Sequence, residues 1–159
     1  MYGREIEAVI RNIPLVERHF LGTFMIDELP LIKRKIGEHN FAIINTAPSE
    51  SPGRHWFTLY RASGREYEIF DPLGFPSLAD HRIFSEFEGN FSYNRTSVQS
   101  RNSSACGQFC ITFAVHRIYN IDVSLDLLLN ELFVTRNLKQ NENFAVSFCL
   151  WIAPWVKKS

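Results

Sequence analysis

Apolar positions in this chain recur at two spacings, and the switches between them divide it into elements. In residues 5–12, Ile6, Val9 and Ile10 share one helical face, Ile13 follows, and Pro14 closes the segment. Phe20-Leu21-Gly22-Thr23-Phe24 is a short apolar run broken by a glycine. Residues 27–40 are mixed and charged, with Lys33-Arg34-Lys35 assigned to a solvated face. Residues 41–46 predict a buried strand, ended by the Pro- and Gly-bearing loop 47–54. Residues 55–60 and 66–70 are strand-like, and Ala62-Ser63-Gly64-Arg65 between them is turn chemistry, so the pair predicts an antiparallel hairpin. Asp71-Pro72-Leu73-Gly74-Phe75-Pro76 then leaves the sheet as a rigid loop, and 78–87 predicts a helix with Ile83, Phe84 and Phe87 on one side.

Thr96-Ser97-Val98 reads as a short strand leading into Gln99. A helix is predicted from Cys106 to about Asn120, and another after the capping residue Ser124. The apolar tail 143–155 reads as a core-packing helix, too short for a membrane span. At 159 residues, with 45% hydrophobic side chains and 14 phenylalanines, the chain suits one domain, residues 1–159, around a single core.

The chemistry concentrates in residues 97–110. Asn102, Ser103 and Ser104 are N-cap types just before Cys106, so the thiol stands at a helix start, where free N–H groups and the positive dipole end favour a thiolate. Ala105 and Gly107 leave the sulfur approachable, and Gln99 can return its amide toward it. An arbitrary cysteine is more often an inert core residue, but the polar lead-in and the glycine argue for a nucleophile beside an oxyanion hole. Cys110, one turn inside the helix, is the rival, and Gln108 rivals Gln99, though its side chain should turn away from the helix start. Cys149 reads as core.

Of the five histidines, His116 is nearest in sequence to Cys106, but ten helical residues at ~1.5 Å each separate them by about 15 Å. His19, His39 and His81 have no adjacent carboxylate signal. His55 opens one hairpin strand and Asp71 closes the other, which puts an imidazole and a carboxylate at the same end of the hairpin. The resulting scheme has Asp71 fixing the His55 tautomer, His55 activating Cys106, and Gln99 with the Cys106 N–H stabilising the oxyanion.

Composition narrows the setting. The 17 basic and 17 acidic side chains balance to zero, so net charge gives no drive toward nucleic acid or a membrane surface. Three cysteines without a CxxC pair fit neither a disulfide framework nor a zinc module, and the charged N-terminus does not resemble a signal peptide. Asn94-Arg95-Thr96 matches the glycosylation sequon, a pattern common by chance.

Four blocks resemble the adenovirus-type cysteine endopeptidases, the adenains, which share their fold with the ubiquitin-like-protein proteases. They are residues 19–24, residues 43–56 ending in His-Trp, residues 70–75, and residues 97–110 with the Gln…Cys-Gly-x-Phe-Cys core. The resemblance implies a compact α+β fold with a mixed or antiparallel sheet and a central nucleophile-bearing helix. It implies catalytic roles for His55, Asp71, Gln99 and Cys106, with Trp56 packed beside the site. The implied function is cleavage of viral capsid and core precursor proteins after small or glycine-containing motifs during virion maturation. Release of ubiquitin or a ubiquitin-like modifier is the alternative, and a catalytically silent scaffold is disfavoured by the intact residue set. Two departures stand out. The acid is Asp71 where adenains use glutamate, and no cysteine lies between Asp71 and Cys106 to tether an activating peptide. No cofactor is required by the sequence. A peptide or DNA activator is a family expectation, with a disulfide tether disfavoured and DNA association weakened by the neutral charge. A monomer located in the virion and infected cell, off the membrane, completes the expectation.

Overall fold

A computed structural model describes residues 1–74, 81–134 and 136–155. The strands are β1 (Phe20–Met25), β2 (Phe41–Asn45), β3 (Trp56–Ser63), β4 (Glu66–Phe70) and β5 (Asn90–Tyr93). They form one mixed sheet in sequence order, with β1–β2 and β4–β5 parallel and the two central pairings antiparallel. The helices are α1 (Gly3–Arg11), α2 (Pro14–Glu17), α3 (Leu29–Lys35), α4 (His81–Glu86), α5 (Cys106–Tyr119), α6 (Leu125–Leu132) and α7 (Leu138–Ile152).

Helices cover both faces of the sheet, which is why β2 is buried along its whole length. Strand alternation assigns the faces. Phe41, Ile43, Trp56 and Tyr60 pack with α1, α2 and α5, whereas Ala42, Ile44, Phe57, Leu59 and Ile69 meet α3 and α4. Helix α5 is buried nearly all round, through Phe109, Cys110, Ile111, Phe113 and Ala114. A helix this apolar belongs in a core. Phe70, the last residue of β4, stacks on Phe113 at 4.6 Å between ring centres, so the strand bearing the acid is locked against the helix bearing the thiol.

Several expectations are corrected. Pro14 opens α2 at its first turn, where its missing N–H costs nothing, besides closing α1. Residues 96–98 form no strand, because the Val98 and Gln99 N–H groups both donate to the Pro72 carbonyl (2.9 and 3.0 Å). The strand on this edge of the sheet is instead β5, whose alternation of exposed and half-buried residues is too short to stand out in sequence. The tail helix α7 starts at Leu138, where Asn137 caps it by accepting from Gln140 N at 3.0 Å. It packs on the core as expected, burying Asn141, Ala145 and Cys149 and laying Val146, Phe148 and Ile152 against it, while Trp151 is 79% exposed. Residues 75–80 of the expected rigid loop and helix lie outside the described residues.

Candidate active site

The hairpin delivers His55 and Asp71 to one place. His55 precedes β3, Asp71 follows β4, and His55 Nε2 and Asp71 Oδ1 lie 2.6 Å apart. Asp71 is 1% exposed and is itself held from several directions. Its Oδ1 accepts from Leu73 N at 2.9 Å. Its backbone is clasped by Asn94, which accepts from Asp71 N at 2.9 Å and donates to Asp71 O at 2.6 Å. Buried polar groups need such partners. The turn that follows requires glycine, since Gly74 has φ +91° and a Cβ there would stand 2.8 Å from the Arg95 carbonyl.

Cys106 is the first residue of α5, buried but not sealed at 9% exposure. Burial resists its ionisation, yet the pKa lies below the usual thiol value, because His55 hydrogen-bonds the sulfur and the Trp56 and Gly107 N–H groups do so too. Burial likewise works against the His55 charge, but hydrogen bonds to Asp71 and Cys106 raise its pKa to about 9. The two directions agree, and each favours the thiolate–imidazolium form of the pair. With Nε2 committed to Asp71, Nδ1 is the nitrogen left for the sulfur. Cys110 is fully buried, and that burial pushes its thiol well above the ordinary range. Burial pushes Cys149 up to about 12. Both are poor nucleophiles.

The expected side-chain cap of α5 is absent. Its N-cap is Ala105, and Ser103 acts just ahead of the helix, accepting from Ala105 N at 3.1 Å. The first-turn donors of α5 are therefore left to the thiolate and whatever sits beside it. Gln99 is buried, and its Nε2 donates to the Ser103 carbonyl at 2.9 Å, which ties the amide to the loop three residues before Cys106. A flipped amide would set two oxygens face to face, so the N–H side is enforced. Gln108 is elsewhere, beside a small cavity with Val9 and Cys149. His116 spends Nδ1 on the Thr112 carbonyl at 2.7 Å and packs on Phe148.

A cleft of about 610 Å³ opens over the thiol, lined by His55, Cys106, Trp56, Thr23, Gly3 and Met1 among others. Trp56 Nε1 donates to the Met1 carbonyl at 3.1 Å, and a Cβ on Gly107 would come within 3.0 Å of the Met1 side chain. Arg54 and Arg101 also line the cleft, and among the described residues no carboxylate does. Sequence reading misses the roles of Asn94 and Leu73, and takes Ser103 for a helix cap when it instead holds Ala105 N and the Gln99 amide. Asn94 was visible only as a sequon, and its contact with Asp71 spans 23 residues.

A thiol of lowered pKa, an imidazole of raised pKa and a buried carboxylate beside a cleft form an arrangement suited to acyl transfer. Comparison with known proteins agrees. Residues 20–96 match the model of the adenovirus endoprotease family. The protease of bovine adenovirus 2 is 33% identical over 133 residues, covering 73% of this chain and 62% of that protein. The protease of porcine adenovirus A serotype 3 is 29% identical over 131 residues, covering 69% and 60%. The chain thus spans about three fifths of the length of these relatives. Among solved structures, AvrA with IP6 and CoA has a TM-score of 0.53 at 12% identity, covering 94% of this chain and 67% of that one, which is a likeness of fold. With its α+β fold and mixed five-stranded sheet, this chain is similar to the adenovirus endoproteases.

Proposed function

We propose that this protein is a cysteine endopeptidase that cuts viral structural precursor proteins during virion maturation. The observation that carries the reading is geometric: Cys106 at the start of α5 and His55 line one open cleft, and His55 is held by Asp71 at 2.6 Å, with the Cys106 pKa lowered and the His55 pKa raised. Asp71 holds the His55 tautomer, and the Cys106 thiolate attacks the scissile carbonyl. The Cys106 N–H and the Gln99 amide stabilise the oxyanion. His55 protonates the leaving amine and then activates the water that clears the thioester. Gly3, Thr23 and Trp56 line the cleft together, with no room for a side chain on Gly3, and in this reading the cleft takes substrates with small residues such as glycine before the scissile bond. The site of action is the virion and the infected cell.

The test is cleavage of a peptide panel with and without Gly-Gly motifs, alongside ubiquitin-family fusions and a Cys106→Ala control. Peptide cutting that vanishes in the variant supports the endopeptidase. Cleavage of the folded fusions alone would replace it with a deconjugating enzyme.

A further inference from the structure

We infer that Ser103 and Glu142 are positioning residues for the oxyanion hole, and that α7 therefore sets the geometry of catalysis from outside the cleft. The inference rests on the proteolytic reading above, in which the Gln99 amide faces the oxyanion.

The loop from Val98 to Ser103 carries Gln99, and adjacent residues of α7 grip it at both ends. Asn141, 2% exposed, donates from Nδ2 to the Val98 carbonyl at 3.1 Å. It is fixed in turn by Val134, whose N–H donates to Asn141 Oδ1 at 2.7 Å. Glu142 Oε1 accepts from Ser103 Oγ at 2.8 Å. Ser103 is where the grip becomes functional. Its Oγ accepts from Ala105 N, its carbonyl receives the Gln99 amide, and Cys106 stands three residues on. The Gln99 Oε1 atom is buried without a hydrogen-bond partner among the described residues, so nothing else pins the amide. Its orientation is set by the Ser103 carbonyl, and the Ser103 position is set by Glu142. A donor must lie within a few tenths of an ångström of the developing oxyanion to be effective, so loss of this hold weakens the transition state more than substrate binding.

The experiment measures kcat and KM on a cleaved peptide for wild type, Glu142→Ala, Glu142→Gln, Gln99→Ala and the Gln99→Ala/Glu142→Ala double variant. Gln99 side-chain amide signals and melting temperature are followed by NMR and calorimetry. Removing an oxyanion donor costs about 10²–10³-fold in kcat, and Glu142→Ala should cost roughly tenfold of that kind, with KM changed less than about twofold. Glu142→Gln keeps the acceptor oxygen and should restore most of the rate. In the Gln99→Ala background Glu142→Ala should add nothing. A Glu142→Ala variant with wild-type kcat, an equal loss in the Gln99→Ala background, or no recovery in Glu142→Gln would overturn the inference. Should wild type cut no peptide, the proteolytic reading fails by itself. The Gln99 amide signals then decide the coupling: sharpened exchange in Glu142→Ala at unchanged melting temperature supports it, and unaltered signals refute it.

Discussion

His55 Nε2 and Asp71 Oδ1 stand 2.6 Å apart across the end of the β3–β4 hairpin, and the carboxylate is 1% exposed. The bond fixes which imidazole nitrogen faces Cys106, so its loss should remove orientation and charge together. Asp71→Asn is expected to lower kcat/KM on the order of 10³–10⁴-fold, as loss of the acid does in comparable triads. Asp71→Glu should retain far more, because the carboxylate survives. Steady-state kinetics on one cleaved peptide decides between the two.

The pH dependence follows from the two shifts. His55 is raised from 6.5 to about 9 in the fold, so the stability gained from its charged form is complete below 6.5 and is lost as pH rises through about 9. Cys106 is depressed below 9.0, so its contribution is present above that value and is lost as pH falls through its folded pKa. The pair is intact between those limits. Activity should therefore fall on an alkaline limb near pH 9, set by His55, and on an acid limb at the lowered pKa of Cys106. An alkaline limb near pH 6.5, seen in a pH series of kcat/KM, would mean that His55 is not paired as described.

Asn94 and Gly74 act on the acid through the backbone. Asn94→Ala removes both hydrogen bonds that clasp Asp71 and leaves buried groups unpaired, at a cost of about 1–3 kcal/mol. Gly74→Ala forces a side chain into a positive φ and against the Arg95 carbonyl, with about 1–3 kcal/mol expected. Urea denaturation reads both, and a midpoint equal to wild type in either variant would contradict the clasp.

Arg117, 1% exposed near the far end of α5, donates to Glu68 Oε1 at 2.7 Å and to the Val123 carbonyl at 2.6 Å. Burial raises the pKa of Glu68, and Arg117 opposes that rise. Arg117→Met would strand the carboxylate, so a loss of about 3–5 kcal/mol is expected. The Arg117→Met/Glu68→Leu pair should recover much of it, since an apolar replacement of both partners leaves no buried charge. Equilibrium unfolding of the three variants checks this.

How much of this was legible in the sequence depends on distance along the chain. Strand ends and helix starts are local signals, and they were enough to put His55 beside Asp71 and Cys106 at the first turn of α5. Long-range contacts left no such trace. Asn94 meets Asp71 across 23 residues and Glu142 meets Ser103 across 39, so neither could be inferred from periodicity. The misplaced strand at 96–98 has the same origin, since the Pro72 carbonyl takes the N–H groups that a sheet would have used. The apolar pattern of the tail helix does predict its packing on the core, through Val146, Phe148 and Ile152, but not that its fully buried positions are Asn141, Ala145 and Cys149 while Trp151 is exposed.

The account turns on Cys106 being the one thiolate among three cysteines, and alkylation of the native protein by iodoacetamide at neutral pH tests that directly. A free thiol with a pKa of about 8.5 reacts slowly there. Peptide mapping by mass spectrometry should find Cys106 modified first and cleavage lost in step with it, while Cys110 and Cys149 stay unlabelled until the protein unfolds. Equal labelling of all three, or activity that survives complete modification of Cys106, would contradict the account.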